Sequence, residues 1–173
     1  VGNAVAIVVA TDRYLARDAA DAVEVDYDPL PAVANAELAT AKGQPQLHAD
    51  VPNNVCFKWT VKGGDVDAAF KAADVVVKER IINQRLVPNA MEPRAALAQY
   101  NSAMNEVTLW ATSQNPHIVR FLLSLDTGIP EQKIRVIAPE VGGGFGSKIP
   151  HYPEDSMVIF ASKKCGCPVK WTE

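Results

Sequence analysis

The chain has 173 residues, 48% of them hydrophobic and 21% charged, a balance that permits a packed core and excludes a disordered polymer. A formal net charge of -3 leaves no electrostatic footprint for nucleic acid, and no apolar run approaches the ~20 residues needed to span a bilayer. The three cysteines, an odd number, argue against a disulfide framework and favour a reducing, intracellular compartment.

In chain order, "VGNAVAIVVA" lacks a basic leader, so residues 4–10 read as a buried strand rather than a signal peptide. A helix follows, with Leu15, Ala16, Ala19, Ala20 and Val23 at helical spacing and Thr11 or Asp12 as its cap. "VEVDYD" alternates with period two and is stopped by Pro29 and Pro31, completing a strand–helix–strand unit over residues 1–32. Residues 33–60 are irregular and read as a connecting segment. "GGDVDAAFKAAD" predicts a turn and a short helix capped by Asp65, "VVVKERIINQRL" a strand, and "RAALAQYN" with "NEVTLWAT" an antiparallel pair.

The second half is better punctuated. Asn115, Pro116 and Gly128 bracket a predicted helix over 116–126, with Ile118, Phe121, Leu122 and Leu125 on one face. "KIRVIAP" predicts a strand, and a last helix starts near Pro153 with Glu154 and Asp155 and ends with Lys163 and Lys164 before Gly166. The chain begins and stops inside strand-like sequence, as expected of a piece of a longer polypeptide.

Three places carry candidate chemistry. The loop "EVGGGFGSK" sets four glycines between a strand and a helix. Glycine lets main-chain N–H groups approach a ligand and form an anion nest; a tight turn needed only for packing explains the same composition. It is a poor P-loop, with Ser147 where the second glycine belongs and Ile149 where Ser or Thr holds magnesium. A dinucleotide fingerprint on Gly142, Gly144 and Ser147 loses its third glycine. Phe145 is either a packing peg or a wall beside a ligand. Gln114 stands just outside a helix N-terminus, as a ligand to an anionic or oxo group or as a surface cap. Glu92 and Arg94 read either as functional groups or as a local surface pair. His48, His117 and His151 are scattered, and Cys165-Gly-Cys167 is not a C-x-x-C motif, so no side-chain metal site is assigned.

Together, "NAMEPRAALAQY", "TSQNPHIVR", "KIRVIAPEVGGGFGSK" and "PVKWTE" resemble the molybdopterin-binding large subunit of the xanthine oxidase family, on its aerobic carbon monoxide dehydrogenase-type branch. The resemblance implies an α+β architecture: the end of an α/β hammerhead domain over residues 1–32, the connecting segment 33–60, and the first part of a mixed α/β molybdopterin-binding domain over 61–173. It implies a molybdenum–pyranopterin cofactor in its cytosine dinucleotide form, with iron–sulfur clusters on a small partner subunit and FAD on a medium one, in the cytoplasm. Gln114 and Phe145 match the residues near molybdenum, and Gly143, Gly144 and Gly146 match the loop against the cofactor. The implied reaction is hydroxylation or oxidation of a small substrate, such as CO, an aldehyde or an N-heterocycle, with water as oxygen source. Purine-oxidising members carry a glutamate after the loop lysine; Ile149 stands there, which disfavours a purine. The family's general base falls beyond residue 173, so the chain alone is expected to be inactive. Two other classes stay open: a non-catalytic anion- or nucleotide-binding module, and a truncated structural homologue.

Overall fold

The computed structural model describes residues 3–173. Two compact units emerge, residues 25–83 and the remainder, and each is described by itself.

The larger unit holds the only sheet among the described residues. Its strands are β1 (Ala95–Asn101), β2 (Glu106–Ala111), β3 (Ile134–Ile137) and β4 (Val169–Thr172), in spatial order β3-β2-β1-β4. β1 and β2 form the predicted hairpin, with Leu97 opposite Trp110 and Tyr100 opposite Val107. β4 pairs antiparallel with β1, whereas β3 runs parallel to β2. That parallel step needs a crossover, supplied by a helix, α3 (Pro116–Thr127). Its smaller companions are α1 (Arg13–Asp21) and, in the other unit, α2 (Val66–Ala72); the last is α4 (Pro153–Cys165).

Period-two burial decides which face of the sheet is covered. Ala96 and Ala98 of β1 and Val107, Leu109 and Ala111 of β2 point inward, against Val119 and Leu123 of α3 and Val158 and Ile159 of α4. The small alanines of β1 let α4 lie close over that strand. Ser162, fully buried on α4, accepts from the N–H of Tyr100 at 3.0 Å and donates to the carbonyl of Cys167 at 2.8 Å, so burial leaves its hydroxyl satisfied.

Helix boundaries follow their sequence signals. Asp12 caps α1 through the N–H groups of Tyr14 and Leu15, and Asp65 caps α2 through Ala68. α3 ends at Gly128 and α4 at Gly166, both left-handed, where a side chain would be strained. Asn115 sits at the N-cap of α3 but makes no side-chain capping bond.

Two expectations need correction. The buried face of α3 is Val119 and Leu123, not the predicted set; Ile118, Phe121 and Leu125 are exposed. The helix is apolar on more than one side, so periodicity alone cannot choose its inner face. Residues 4–10, 23–28 and 75–86 form no strands and their large apolar side chains are mostly exposed. A strand exists by pairing its N–H and C=O groups, and these segments have no ladder partner among the described residues.

In the smaller unit, Asn54 is the organising side chain. Its amide donates to the carbonyls of Ala39 and Pro45 at 2.8 and 2.9 Å, and its oxygen accepts from Leu47. Among the described residues, no helix is long and apolar enough to cross a membrane.

Candidate functional site

The site is built where the end of β2 leads into α3 and where the glycine loop leads from β3 toward α4. Gln114, exposed at the first of these places, reaches across to the loop. Its main-chain N–H donates to the carbonyl of Lys148 at 2.9 Å. Its side-chain Oε1 accepts from the N–H groups of Gly146 at 3.2 Å and Lys148 at 3.3 Å. Both neighbours are donors, which fixes the amide orientation: the oxygen faces the loop. The Nε2 group then has no acceptor among the described residues and remains available to donate to a ligand.

Gly144 is set by this approach. A Cβ there would lie 2.6 Å from Cδ of Gln114 and closer still to its Oε1. Only a residue without a side chain lets loop and amide meet. Gly143 and Gly146 both have positive φ, 96° and 90°. Phe145 lies between them with φ of 50°, uncommon for a bulky residue, and its side chain is 77% exposed. An exposed aromatic held in a sparsely populated backbone conformation is a feature found at ligand clamps. Among the described residues the N–H groups of Gly144 and Phe145 have no acceptor within the chain. The loop therefore sets two donors without acceptors beside the Gln114 amide, one on exposed Phe145 and one on buried Gly144.

Behind the loop, Ser147 donates its hydroxyl to the carbonyl of Gly144 at 2.8 Å, and Tyr152 donates to the carbonyl of Ser147 at 2.6 Å. Lys148 is buried, with Nζ 2.8 Å from a Glu92 carboxylate oxygen. The Lys148 hydrogen bond, helped by the N–H of Gly142, holds the Glu92 carboxyl below its usual range. Ile149 is half exposed at the loop's end.

Glu92 and Arg94 are not a local surface pair. Glu92 turns to Lys148, whereas Arg94 binds Glu173 at 2.9 Å and lies 3.6 Å from Glu154. The Arg94 guanidinium also stacks on Tyr152, 3.8 Å from the ring centre. Each partner is more than fifty residues away in sequence, which is why adjacency misleads. A cavity of about 20 Å³ touches Arg94, Lys148, Tyr152, Glu154 and Trp171, room for about one water. The Arg94 Nη1 and Glu154 Oε2 atoms, 3.6 Å apart, are the buried polar atoms there without a hydrogen-bond partner among the described residues.

The structure thus brings together Gln114, Gly144, Gly146 and Phe145, with Gly143 in the same loop. Cys56, Cys165 and Cys167 are free and exposed. No cluster of three His, Cys, Asp or Glu side chains suited to a metal occurs among the described residues. What the site offers is hydrogen-bond donors and an aromatic wall, chemistry suited to a bulky group rich in acceptor atoms.

Comparison with known proteins gives the site its context. The family model for the molybdopterin cofactor-binding domain matches residues 47–173. The carbon monoxide dehydrogenase large chain of Afipia carboxidovorans is 40% identical over 182 residues, covering 98% of this chain and 22% of that protein. The nicotine 6-hydroxylase large subunit of Paenarthrobacter nicotinovorans is 38% identical, covering 100% of this chain and 21% of that protein. The structure of reconstituted CO dehydrogenase from Oligotropha carboxidovorans matches with a TM-score of 0.82 at 38% identity, over 95% of this chain and 22% of that one. The chain spans about a fifth of the length of each of these two curated relatives.

Proposed function

The chain belongs to the molybdopterin cofactor-binding domain family and its homologues are molybdenum oxidoreductases; from that premise we propose that it is a segment of the catalytic large subunit of such an enzyme, supplying part of the cofactor cradle. The observation that carries this reading is the junction of Gln114 with the glycine loop, which leaves the Gln114 Nε2 donor and the Phe145 N–H without an acceptor among the described residues, beside an exposed aromatic side chain.

In this reading Gln114, Gly143, Gly144, Phe145 and Gly146 hold a molybdenum–pyranopterin in its cytosine dinucleotide form. When bound, that group supplies two-electron oxidation chemistry, with water as the oxygen source. The protein's own part is orientation. Gln114 donates through Nε2 to an electron-rich oxygen, Gly144 lets the main chain come close, and Phe145 closes one side against water. Their free donors and lack of fixed charge fit a ligand that brings its own charge and metal. No residue of the chain is assigned as general base; that group lies beyond residue 173.

The proposed domain division is a hammerhead end over 1–32, a connecting segment over 33–60 and a molybdopterin-binding portion over 61–173. The proposed partners are an iron–sulfur small subunit and an FAD-binding medium subunit, and the proposed location is the cytoplasm. Relatives named for carbon monoxide and nicotine support a small substrate of the CO, aldehyde or N-heterocycle kind. The apolar Ile149 at the loop's end offers a purine no hydrogen bond.

The deciding experiment is to isolate the native polypeptide that contains this chain and measure its mass and molybdenum together. A mass several times 18.7 kDa with about one molybdenum per polypeptide, the usual one-cofactor stoichiometry, is expected. A polypeptide that binds nucleotide tightly and holds no molybdenum when grown with it would overturn the reading.

A further inference from the structure

Lys148 has no role in the reading above, yet its side chain is 1% exposed. An ammonium group is tolerated in such a place only where a carboxylate and further acceptors meet it. Glu92 supplies both. Its Oε2 and its main-chain carbonyl oxygen each lie 2.8 Å from Nζ of Lys148. The same Oε2 accepts the N–H of Gly142 at 2.7 Å, and the N–H of Glu92 donates to the carbonyl of Gly142 at 3.2 Å. A Cβ on Gly142 would stand 2.7 Å from Cβ of Glu92, so the loop backbone rests directly on this residue.

Gly142 and Lys148 bracket the segment that carries Gly143, Gly144, Phe145 and Gly146. One carboxylate oxygen therefore reaches the main chain of Gly142 and the side chain of Lys148, while Gln114 holds the main chain of Gly146 and Lys148. We propose that Glu92 and Lys148 are the positioning pair of the cofactor loop: a clasp between a buried ammonium and a half-buried carboxylate that sets where Phe145 and the free N–H groups are held. The proposal rests on the reading of this loop as a cofactor cradle. Neither side chain is a catalytic residue, because each acts through the main chain of residues 142–148.

A pair that served stability alone would affect the whole sheet equally. A positioning pair affects the loop first. The test compares the native polypeptide with Glu92→Gln and Lys148→Met by hydrogen exchange, molybdenum content and turnover per bound molybdenum. Glu92→Gln removes the charge while keeping an amide near the same place. Exchange at residues 142–148 is expected to rise about tenfold or more, the weight of one charge-assisted hydrogen bond, with β1 and β2 unchanged. Turnover per molybdenum is expected to fall by about the same factor with KM little moved, since the loop orients rather than binds substrate.

Should the single variants fail to accumulate because one buried charge is left alone, the double variant E92Q/K148M removes both. It is expected to fold while its loop amides stay unprotected. Unchanged loop exchange, or exchange raised equally in β1 and β2, would overturn the proposal. Absence of molybdenum from the unaltered polypeptide would instead overturn the functional reading, and the exchange measurement would still decide the clasp.

Discussion

Gln114 shows how little a residue needs to become directional. Two backbone donors from the loop occupy its oxygen, so the group left for a ligand is an NH₂. On the proposed function, Gln114→Ala removes one hydrogen bond to a strongly polar oxygen. Turnover per bound molybdenum is expected to fall about 10–100-fold, from a loss of about 1.5–3 kcal/mol, with a smaller loss of molybdenum; assay and metal analysis on one preparation check this. Gly144→Ala drives a methyl group into the same amide. It is expected to cost about 1–3 kcal/mol of stability through overpacking, seen as a lower denaturation midpoint, and to release the Gln114 amide from the loop. The sequence marked Gln114 by its place outside a helix start and the loop by its glycines, and the resemblance added a role near molybdenum. Glu92 and Lys148 stayed illegible: a carboxylate beside an arginine reads as their own pair, and nothing local marks a lysine destined for burial 56 residues away.

Helices α3 and α4 meet through a polar knot as well as through Val119, Leu123 and Val158. The Nε2 atom of His151 lies 2.8 Å from Asp126 Oδ2 and 3.1 Å from Ser156 Oγ, and Ser156 donates to the same Asp126 oxygen at 2.9 Å. Its Nδ1 lies 3.3 Å from Asp155. Asp155 first, then Asp126, raise the imidazole above its ordinary value, against the opposing effect of burial. A raised folded-state value means stability fully present below the unfolded value, about 6.5, and lost as pH rises through the folded one. Thermal midpoints are therefore expected to decline from about pH 6.5 upward, and this part of the slope is expected to vanish in His151→Gln. In the sheet, Leu109 is 0% exposed on the central strand β2, so Leu109→Ala is expected to cost about 2–5 kcal/mol, readable by denaturant melts. The four helices were legible because caps, prolines and glycines punctuate them, and the hairpin, β3 and β4 because their sequence is strand-like. The inner face of α3 was not, because Ile118, Phe121 and Leu125 are as apolar as the residues that won burial.

At the scale of the molecule, order is unevenly distributed. The sheet and its two helices occupy residues 95–172, whereas residues 25–83 hold one seven-residue helix, one short 3-10 turn and no strand. Phe57 and Trp59 there are 79% and 81% exposed. Limited proteolysis of the 173-residue chain is expected to cut first within 25–83 and to spare 95–172, since exposed backbone without ladder bonds opens most easily; mass spectrometry of the products checks it. Alternating or continuous apolar sequence at 4–10, 23–28 and 75–86 predicted strands, and the structure has none there. Pattern reports what a segment can pair with, not whether a partner is present.

The hold of Glu92 on Gly142 and Lys148 has a consequence for the order of assembly. A cradle whose shape is fixed by its own side chains does not wait for an occupant to mould it. On the proposed function and the proposed clasp, the receptacle is finished when the polypeptide folds, and cofactor insertion is expected to be a late docking onto a preformed surface.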